Sequence, residues 1–366
     1  MSKRILIGVA VVIAVALWLV APIYLEGFWL NLGFAACGAA VGALGLNVLS
    51  GTAGQISLAH AFFLAVGALT YVVLSGDPHP TSGPSGLGWP TLLALVASIV
   101  VTAVVGFVVS PISSRLSGLY LAVGSLALVY IGQHLFVNLK GITGGHNGRG
   151  VPSLSIFGFS FSREGNLVVG GVPFGADEKL WYLGPVVLAI CAWSVHRLLR
   201  SRHGRAMRLV RDKQLAASVS GVDVRRVKQN AFVVSSALAG LSGALFALAI
   251  GSVAPIEFTL GLSIQYLVMI VIGGLDSIAG SILGAFFVTA AQLLIQHFAS
   301  DLPFLGEGVS PLQAADYLYG AALIAILMVR PRGLVALFSR TRRPSLVTEA
   351  PNTPRNRPQP TPAGQP

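Results

Sequence analysis

Hydrophobic residues in this chain form long runs that contain no Asp, Glu, Lys or Arg. A membrane-spanning helix needs about 20 consecutive apolar residues, whereas membrane strands show short alternating segments. The runs are continuous and rich in Leu, Val, Ala and Gly, so they predict helices. Their limits are 27–76, 78–114, 116–139, 229–256, 258–275 and 277–300.

The pattern predicts an all-α, polytopic transmembrane helical bundle of about ten spans, with a range of eight to ten. The N-terminal segment allows two interpretations, a cleaved signal peptide ending near Ala16 or a first spanning helix, and its length favours the helix. The predicted spans are 5–25, 29–49, 57–75, 91–110, 117–138, 181–199, 229–250, 262–275, 277–298 and 317–330.

Composition and charge placement support a membrane location. Only 10% of the 366 residues are charged, against about 25% in soluble proteins. The net charge of +11 does not indicate nucleic-acid binding, because the basic residues lie in loops between the apolar runs. Segment 197–228 carries ten Lys and Arg, whereas 299–316 carries three acidic residues and no basic one. The positive-inside rule therefore predicts that both termini are cytoplasmic.

Domain organisation follows from the same pattern. Residues 1–335 form one transmembrane domain, with an external loop at 139–180 and a basic cytoplasmic loop at 200–228. Residues 340–366 are rich in Pro, Thr, Arg and Gln and predict a disordered cytoplasmic tail. The cysteines, Cys37 and Cys191, lie inside apolar runs and indicate neither a disulfide framework nor a metal site.

Two glycine-containing breaks interrupt the apolar runs, at 50–55 and at 273–280. Backbone that leaves a helix at membrane depth is tolerated only where it lines a cavity or is buried in protein. Short or interrupted helices in both halves of a chain are a pointer to a transport site. These breaks are therefore candidates for the translocation pathway.

The basic cytoplasmic loop predicts a short amphipathic helix. Arg205, Arg208 and Arg211 recur every three residues among apolar positions, and Gly221 is a stop signal. Composition alone leaves two interpretations: a loop held at the membrane by its arginines, or a docking helix for a soluble partner.

This loop resembles the cytoplasmic loop of permeases from ABC importers for branched-chain amino acids. The resemblance implies a coupling helix that lies in a groove of the ATPase subunit. Lys213 and Gln214 stand where the family usually has further acidic residues, which puts the charge complementarity in question. The matching residues are Gly204, Arg205, Ala206, Arg208, Arg211, Asp212, Ala216, Ala217, Gly221 and Val222.

The first break also resembles a motif of that family. Its polar side chains lie between apolar runs, where each must bond to another helix or face a water-filled path, and both roles stay open. The matching residues are Asn47, Gly51, Ala53, Gly54, Gln55, Ser57, His60, Ala61 and Phe63.

Two further segments are similar to the same family. Thr143, Gly144, Gly145, Asn147 and Gly148 resemble an external motif of the longer of its two paired permease subunits. Such a turn either is plain surface structure or offers N–H groups to a carboxylate. The second break resembles the closing signature of the family, with Gly273 and Gly274 matching, Asp276 in place of a frequent Gly and Gln265 in place of a frequent Glu.

The resemblance implies a permease subunit in the inner or plasma membrane that transports branched-chain amino acids or related small polar solutes. It also implies a second permease subunit, two ABC ATPases and an extracytoplasmic solute-binding protein as partners. The chain contains no P-loop motif, so we expect the partner ATPases to use ATP and Mg²⁺ while this chain binds no cofactor and catalyses no reaction. The alternative is an ion-coupled secondary carrier, for which Asp276 is the available intramembrane carboxylate.

Overall fold

The computed structural model describes residues 18, 20–80, 84–116, 118–156, 159–161, 167–169, 172–298 and 320–321. Helices dominate this part of the chain, and we number them α1 to α11 in chain order. They are α1 Gly27–Leu46, α2 His60–Ser75, α3 Thr91–Arg115, α4 Leu119–Asn138, α5 Lys140–Thr143, α6 Ala176–Arg200, α7 Arg202–Asp212, α8 Gln214–Val219, α9 Val224–Ile250, α10 Leu260–Gly273 and α11 Ile278–Phe298.

Within the described residues, six helical segments are long and apolar enough to cross a membrane: Gly27–Thr52, Thr91–Arg115, Tyr120–Asn138, Ala176–Arg200, Val224–Ile250 and Ile278–His297. Two shorter apolar helices, α2 and α10, complete the set. These eight helices correspond to the eight predicted spans between residues 29 and 298, so the prediction of a polytopic helical protein is confirmed. Predicted spans 5–25 and 317–330 lie largely outside the described residues, and the predicted tail 340–366 lies wholly outside them.

Helices α1 and α9 form the centre of the bundle. Helix α9 packs against α1, α2 and α3, and α1 packs also against α6 and α11. The most apolar window of α1 and its continuation is 83% buried and that of α9 is 61% buried, against 22% for α3 and α4. The outer helices therefore present their apolar side chains, such as Phe107, Val108 and Ile131, to the surroundings, as lipid-facing helices do.

Glycine allows close contact between the central helices. A Cβ atom on Gly67 of α2 would collide with the backbone of Gly240 of α9, and a Cβ on Gly243 would collide with the carbonyl of Leu64. Small residues at such positions let helix backbones approach within van der Waals contact, which is the main source of attraction between helices in lipid.

The bundle has two distinct ends. At one end, the loop after α4 contains α5, a 3₁₀ turn at Gly145–Asn147 and short strands. Strand β1 pairs antiparallel with β6, which follows α9, while β2 pairs with β3 and β4 with β5. The all-α class therefore holds for the bundle but not for this loop. The strands are β1 Arg149–Gly150, β2 Ser155–Ile156, β3 Phe159–Ser160, β4 Leu167–Val169, β5 Val172–Phe174 and β6 Ser252–Val253.

At the other end, the single amphipathic helix expected from the sequence is two helices, α7 and α8. They are separated at Lys213, whose backbone is extended (φ −149°, ψ 88°). Ser201 caps the start of α7 by accepting a hydrogen bond from the Gly204 N–H, and Asp223 caps α9 by accepting one from Arg226. This segment therefore forms a defined corner between α6 and α9.

Candidate functional site

The two predicted helix breaks meet in the fold. After α1, residues Asn47–Thr52 form a π-helical turn, and Gly274 to Ser277 separate α10 from α11. The Asp276 N–H donates to Asn47 Oδ1 at 2.9 Å, and Asn47 Nδ2 donates to the Ser277 carbonyl at 3.3 Å. Thr52 Oγ1 donates to Asp276 Oδ1 at 3.0 Å. Each break therefore supplies partners for the polar groups that the other exposes.

The backbone at Asp276 is strained. Its φ is +61°, the one positive φ of a non-glycine residue in the described part of the chain. Such a conformation persists where surrounding contacts hold it, and often at functional positions. Gly51 fits beside it because a Cβ there would collide with Asn47 Oδ1 and come within 2.7 Å of the Asp276 nitrogen. The break at 273–277 is thus held by the break at 47–52.

Two arginines of α7 extend to this junction. Arg208 Nε lies 3.5 Å and Arg211 Nη1 lies 3.2 Å from Asp276 Oδ2. Arg211 Nη1 also donates to the Gly51 carbonyl at 2.6 Å, and its Nε lies 3.0 Å from Asp212 Oδ1. The Arg211 side chain of α7 therefore contacts both helix breaks.

The electrostatic setting of Arg211 keeps it charged. Burial lowers the pKa of its guanidinium, but the hydrogen bonds and charges of Asp212 and Asp276 outweigh this, so the pKa is raised above the ordinary arginine value. Gly54, with φ +69°, lies under the same side chain, since a Cβ there would come within 2.7 Å of Arg211 Cγ. Gly54 thus gives Arg211 room to reach Gly51.

Helices α7 and α8 also expose an apolar surface. Leu215 and Val219 are 82% and 83% exposed, and Ala216 lies beside them, whereas Ala217 is buried. The sequence pattern included Val219 among the apolar positions of this segment and selected the arginines and alanines as site residues, but it missed Leu215. A signal for Leu215 was present in the sequence, because large apolar residues close together in a short polar segment are typical of an interaction surface.

The other residues predicted for this segment have local roles. Gly204 is buried against the end of α6, where a Cβ would come within 2.5 Å of the Leu199 backbone. Arg205 is exposed, and its Nη1 donates to the Arg200 carbonyl at 3.2 Å rather than reaching the junction. Gly221 adopts φ +79° just after α8, as the stop signal predicted.

The remaining polar residues of the first break connect neighbouring helices. Gln55 Nε2 donates to the Lys228 carbonyl at 3.0 Å and its Oε1 accepts from Ser113 Oγ at 2.6 Å. Ser57 Oγ accepts from the Ala59 N–H at 3.3 Å, just before α2 begins. Gln55 therefore joins the first break to α3 and α9, and Ser57 bonds to the backbone just before α2.

His60 lies apart from the junction. Its ring packs against Tyr266 of α10, with centroids 4.8 Å apart, and its side chain is buried. The Tyr266 hydroxyl lies 3.0 Å from Ser242 Oγ, which donates to the Gly38 carbonyl. His60 is therefore part of the contact between α2, α9, α10 and α1.

The glycine-rich external motif satisfies its own backbone. Thr143 Oγ1 donates to the Phe136 carbonyl at 2.6 Å and accepts from the Gly145 N–H at 3.1 Å. The Gly144 N–H donates to Lys140 and the Gly148 N–H to Gly145. Asn147 is exposed in the 3₁₀ turn. The N–H groups of Gly144, Gly145 and Gly148 are therefore engaged within the turn.

No group of three or more His, Cys, Asp or Glu side chains suited to a metal ion occurs within the described residues. The site instead links the surface helix α7 to the interior of the bundle. Arg208 and Arg211 of α7 contact Asp276 of the second break, and Arg211 also bonds to Gly51 of the first. Fold and site together define a multi-pass helical membrane protein of the kind that moves solutes.

Comparison with known proteins identifies the family. Residues 28–327 match the family of branched-chain amino acid transport system permease components, and the chain belongs to it. The resemblance inferred from the sequence is thereby confirmed. No solved structure gives a significant match.

Individual relatives agree with the family. The chain is 32% identical over 305 residues to the high-affinity branched-chain amino acid transport system permease protein LivM of Salmonella typhimurium strain LT2. The aligned residues make up 80% of this chain and 67% of that protein. It is 31% identical to LivM of Escherichia coli strain K12, with the same coverage. Identity to LivH of the same strain is 26%, covering 80% of this chain and 89% of LivH. The similarity is thus greater to LivM, the type that the sequence motifs indicated.

Proposed function

We propose that this chain is the membrane-spanning permease subunit of an ATP-driven ABC importer that moves branched-chain amino acids or related small polar solutes across the inner or plasma membrane. Arg211 carries the proposal, because it joins the surface segment α7 to both helix breaks. Membership of the permease family and the names of the LivM and LivH relatives support the substrate class.

The proposed topology has ten spans with both termini in the cytoplasm. Eight are the described apolar helices, and segments 5–25 and 317–330 would add one at each end. The end of the bundle that carries α7 and α8 would face the cytoplasm, because its loop holds ten basic residues. The end with the β1–β6 pair would face outward. Residues 1–335 would form the permease domain and 340–366 a cytoplasmic tail.

The proposed mechanism is alternating access driven from α7 and α8. A partner ATPase would cover Leu215 and Val219, while Arg208 and Arg211 hold Asp276 on the inner side. Movement of the docked segment would draw the arginines from Asp276. The two breaks would then lose the charges that hold them together, and the inner end of the pathway could open.

The proposed assembly contains a second permease subunit, two ABC ATPases and an extracytoplasmic solute-binding protein. ATP and Mg²⁺ would bind to the ATPases, and this chain would contribute no catalytic residue. Matches to both LivM and LivH, two permease proteins named for branched-chain amino acid transport, support pairing with a second permease chain.

An ion-coupled carrier has less support. It needs a carboxylate that is free to bind and release a coupling ion. Asp276 is engaged by Arg208, Arg211 and Thr52, so its charge is already compensated. The family and its relatives also favour the ABC permease.

The first test is affinity purification of the tagged full-length chain in mild detergent, with mass spectrometry of the proteins that accompany it. We expect a second permease and ATPase subunits. The reassembled complex in liposomes, supplied with leucine and binding protein, should accumulate leucine only with ATP. A chain that purifies alone and drives leucine uptake from an ion gradient without ATP would refute the proposal and support the carrier.

A further inference from the structure

A cavity of about 580 Å³ opens between α1, α9, α10 and α11, at the end of the bundle that carries β6. Pockets that enclose small ligands are typically of about 300–1,000 Å³. The junction of Asn47 and Asp276 lies at the opposite ends of α1 and α11, so it does not form part of this cavity.

One wall of the cavity is apolar. Ala35 and Ala39 of α1 leave space that larger side chains would fill, and Leu262, Val268 and Met269 of α10 line the space opposite. A wall of this kind takes up a branched aliphatic side chain by removing its surface from water.

Polar groups lie on the α10 and α11 side. Gln265 Nε2 donates to Gln292 Oε1 across the two helices. Because this bond uses one N–H of Gln265 and the side-chain oxygen of Gln292, the other N–H of Gln265 and both N–H groups of Gln292 are available as donors. Thr289 lies one turn before Gln292 and is only 8% exposed, and its Oγ1 has no hydrogen-bond partner within the described residues. Several donors therefore converge on this side of the cavity, next to the buried hydroxyl of Thr289.

The charge of the cavity is small and negative. Glu257, in the 3₁₀ turn before α10, is the one charged side chain among the described residues that line it. Without a Lys, Arg or His in that lining, a ligand with a net negative charge finds no counter-ion. A zwitterion can place its ammonium near the Glu257 carboxylate and its carboxylate among the neutral donors.

We propose that this cavity binds the transported solute as a zwitterionic aliphatic amino acid. The carboxylate of the amino acid accepts hydrogen bonds from Gln292, Gln265 and Thr289, and its ammonium is attracted by Glu257. Its side chain is enclosed by the apolar wall that includes Ala35 and Met269. This inference rests on the proposed function and assigns it a binding site. Gln265, an uncharged amide, keeps the site neutral at its centre.

The test uses the complete complex, after wild-type uptake of leucine with ATP has established the proposed function on its own. For the binding measurement the solute-binding protein is left out, because it would itself hold leucine, and equilibrium binding of radiolabelled leucine to the purified permease and ATPase subunits is measured for Gln292→Leu and Thr289→Val. Loss of a hydrogen bond to a charged group typically weakens binding about tenfold or more. We therefore expect the dissociation constant of leucine to rise at least about tenfold in Gln292→Leu. Gln133→Leu, on α4 and away from the cavity, is the matched control and should bind as the wild type does.

Ligand analogues separate the two ends of the zwitterion. Isocaproate lacks the ammonium, and we expect it to bind weakly to the wild type. Glu257→Gln should weaken leucine binding and leave isocaproate binding little changed. Unchanged leucine affinity in Gln292→Leu and Thr289→Val, with wild-type transport intact, would overturn the site without affecting the proposed function.

A labelling experiment guards against variants that fold poorly. Thr289→Cys is treated with a small cationic thiosulfonate reagent, and the native Cys37 and Cys191 are buried. We expect leucine to slow its modification. A Thr289→Cys that instead crosslinks to the second permease subunit and is not protected by leucine would overturn the proposal and make the cavity part of the subunit interface.

Discussion

Asn47 and Asp276 are 229 positions apart in the chain, yet the Asp276 backbone N–H donates a 2.9 Å hydrogen bond to the Asn47 side chain. The bond joins a π-helical turn to a break between two helices. Because Asn47 is buried, neither group can exchange this bond for one with water. The two breaks thus form one structural unit, and the arginines of α7 act on that unit.

Replacing Asn47 with Ala should loosen this junction. The Asp276 N–H loses its acceptor, and an unsatisfied buried group of this kind costs about 1–3 kcal/mol. The Ser277 carbonyl loses one donor but still accepts from the Ser281 N–H and hydroxyl. We expect a lower thermal unfolding midpoint of the purified chain in detergent, together with raised basal ATPase activity of the complex. Asn138→Ala is the control, since Asn138 is exposed and bonds only within its own helix. An unfolding midpoint equal to that of the control would contradict the role of Asn47.

Charge reversal on α7 should uncouple the complex. In the Arg205→Glu, Arg208→Glu double variant, the change at 208 puts a carboxylate in place of a cation beside Asp276. Because Arg205 is exposed, its replacement should leave folding undisturbed. We expect loss of the stimulation of ATPase activity by loaded binding protein, with normal yield and size-exclusion profile. Arg205→Glu alone should have the smaller effect. Stimulation that survives in the double variant would refute coupling through this helix.

The sequence predicted the eight apolar helices between residues 27 and 298 because continuous apolar runs are typical of helices in lipid. It also located both breaks, since glycine and polar residues interrupt those runs. It could not bring Asn47, Asp276 and Arg211 together, because contacts between residues so distant in the chain depend on how the helices pack. Nor did it divide α7 from α8 at Lys213, a residue with no strong tendency to end a helix.

The sequence also left the roles of single polar residues open. For Gln55 the sequence allows either structural bonding or a place on the pathway. For the turn at Thr143 it allows either plain surface structure or N–H groups offered to a carboxylate. In the structure both are buried: Gln55 bonds to the Lys228 carbonyl and the Ser113 hydroxyl, and Thr143 bonds to the Phe136 carbonyl. Amino-acid type alone does not distinguish the two cases, because an amide or a hydroxyl can serve either.

The exposed leucine of α8 should be required for ATPase binding. Leu215 is 82% exposed, and a carboxylate at that position would have to lose its hydration to enter an apolar contact. We therefore expect Leu215→Glu to abolish recovery of the ATPase subunits in affinity purification, while the second permease still accompanies the chain. Leu215→Ala, which keeps the surface apolar, should retain most of the ATPase. Equal recovery with Glu and Ala would show that this face is not the docking surface.

Two single-cysteine positions should report the orientation of the bundle. Ser218 lies in α8 and Asn147 in the 3₁₀ turn after α5, and both are exposed at opposite ends of the fold. Because Cys37 and Cys191 are buried, background labelling should be low. With a membrane-impermeant maleimide on intact spheroplasts, we expect Asn147→Cys to react at once and Ser218→Cys to react only after permeabilisation. The reverse pattern would place α7 and α8 outside, where no ATPase could reach Leu215 or move Arg211, and the proposed coupling would then be wrong.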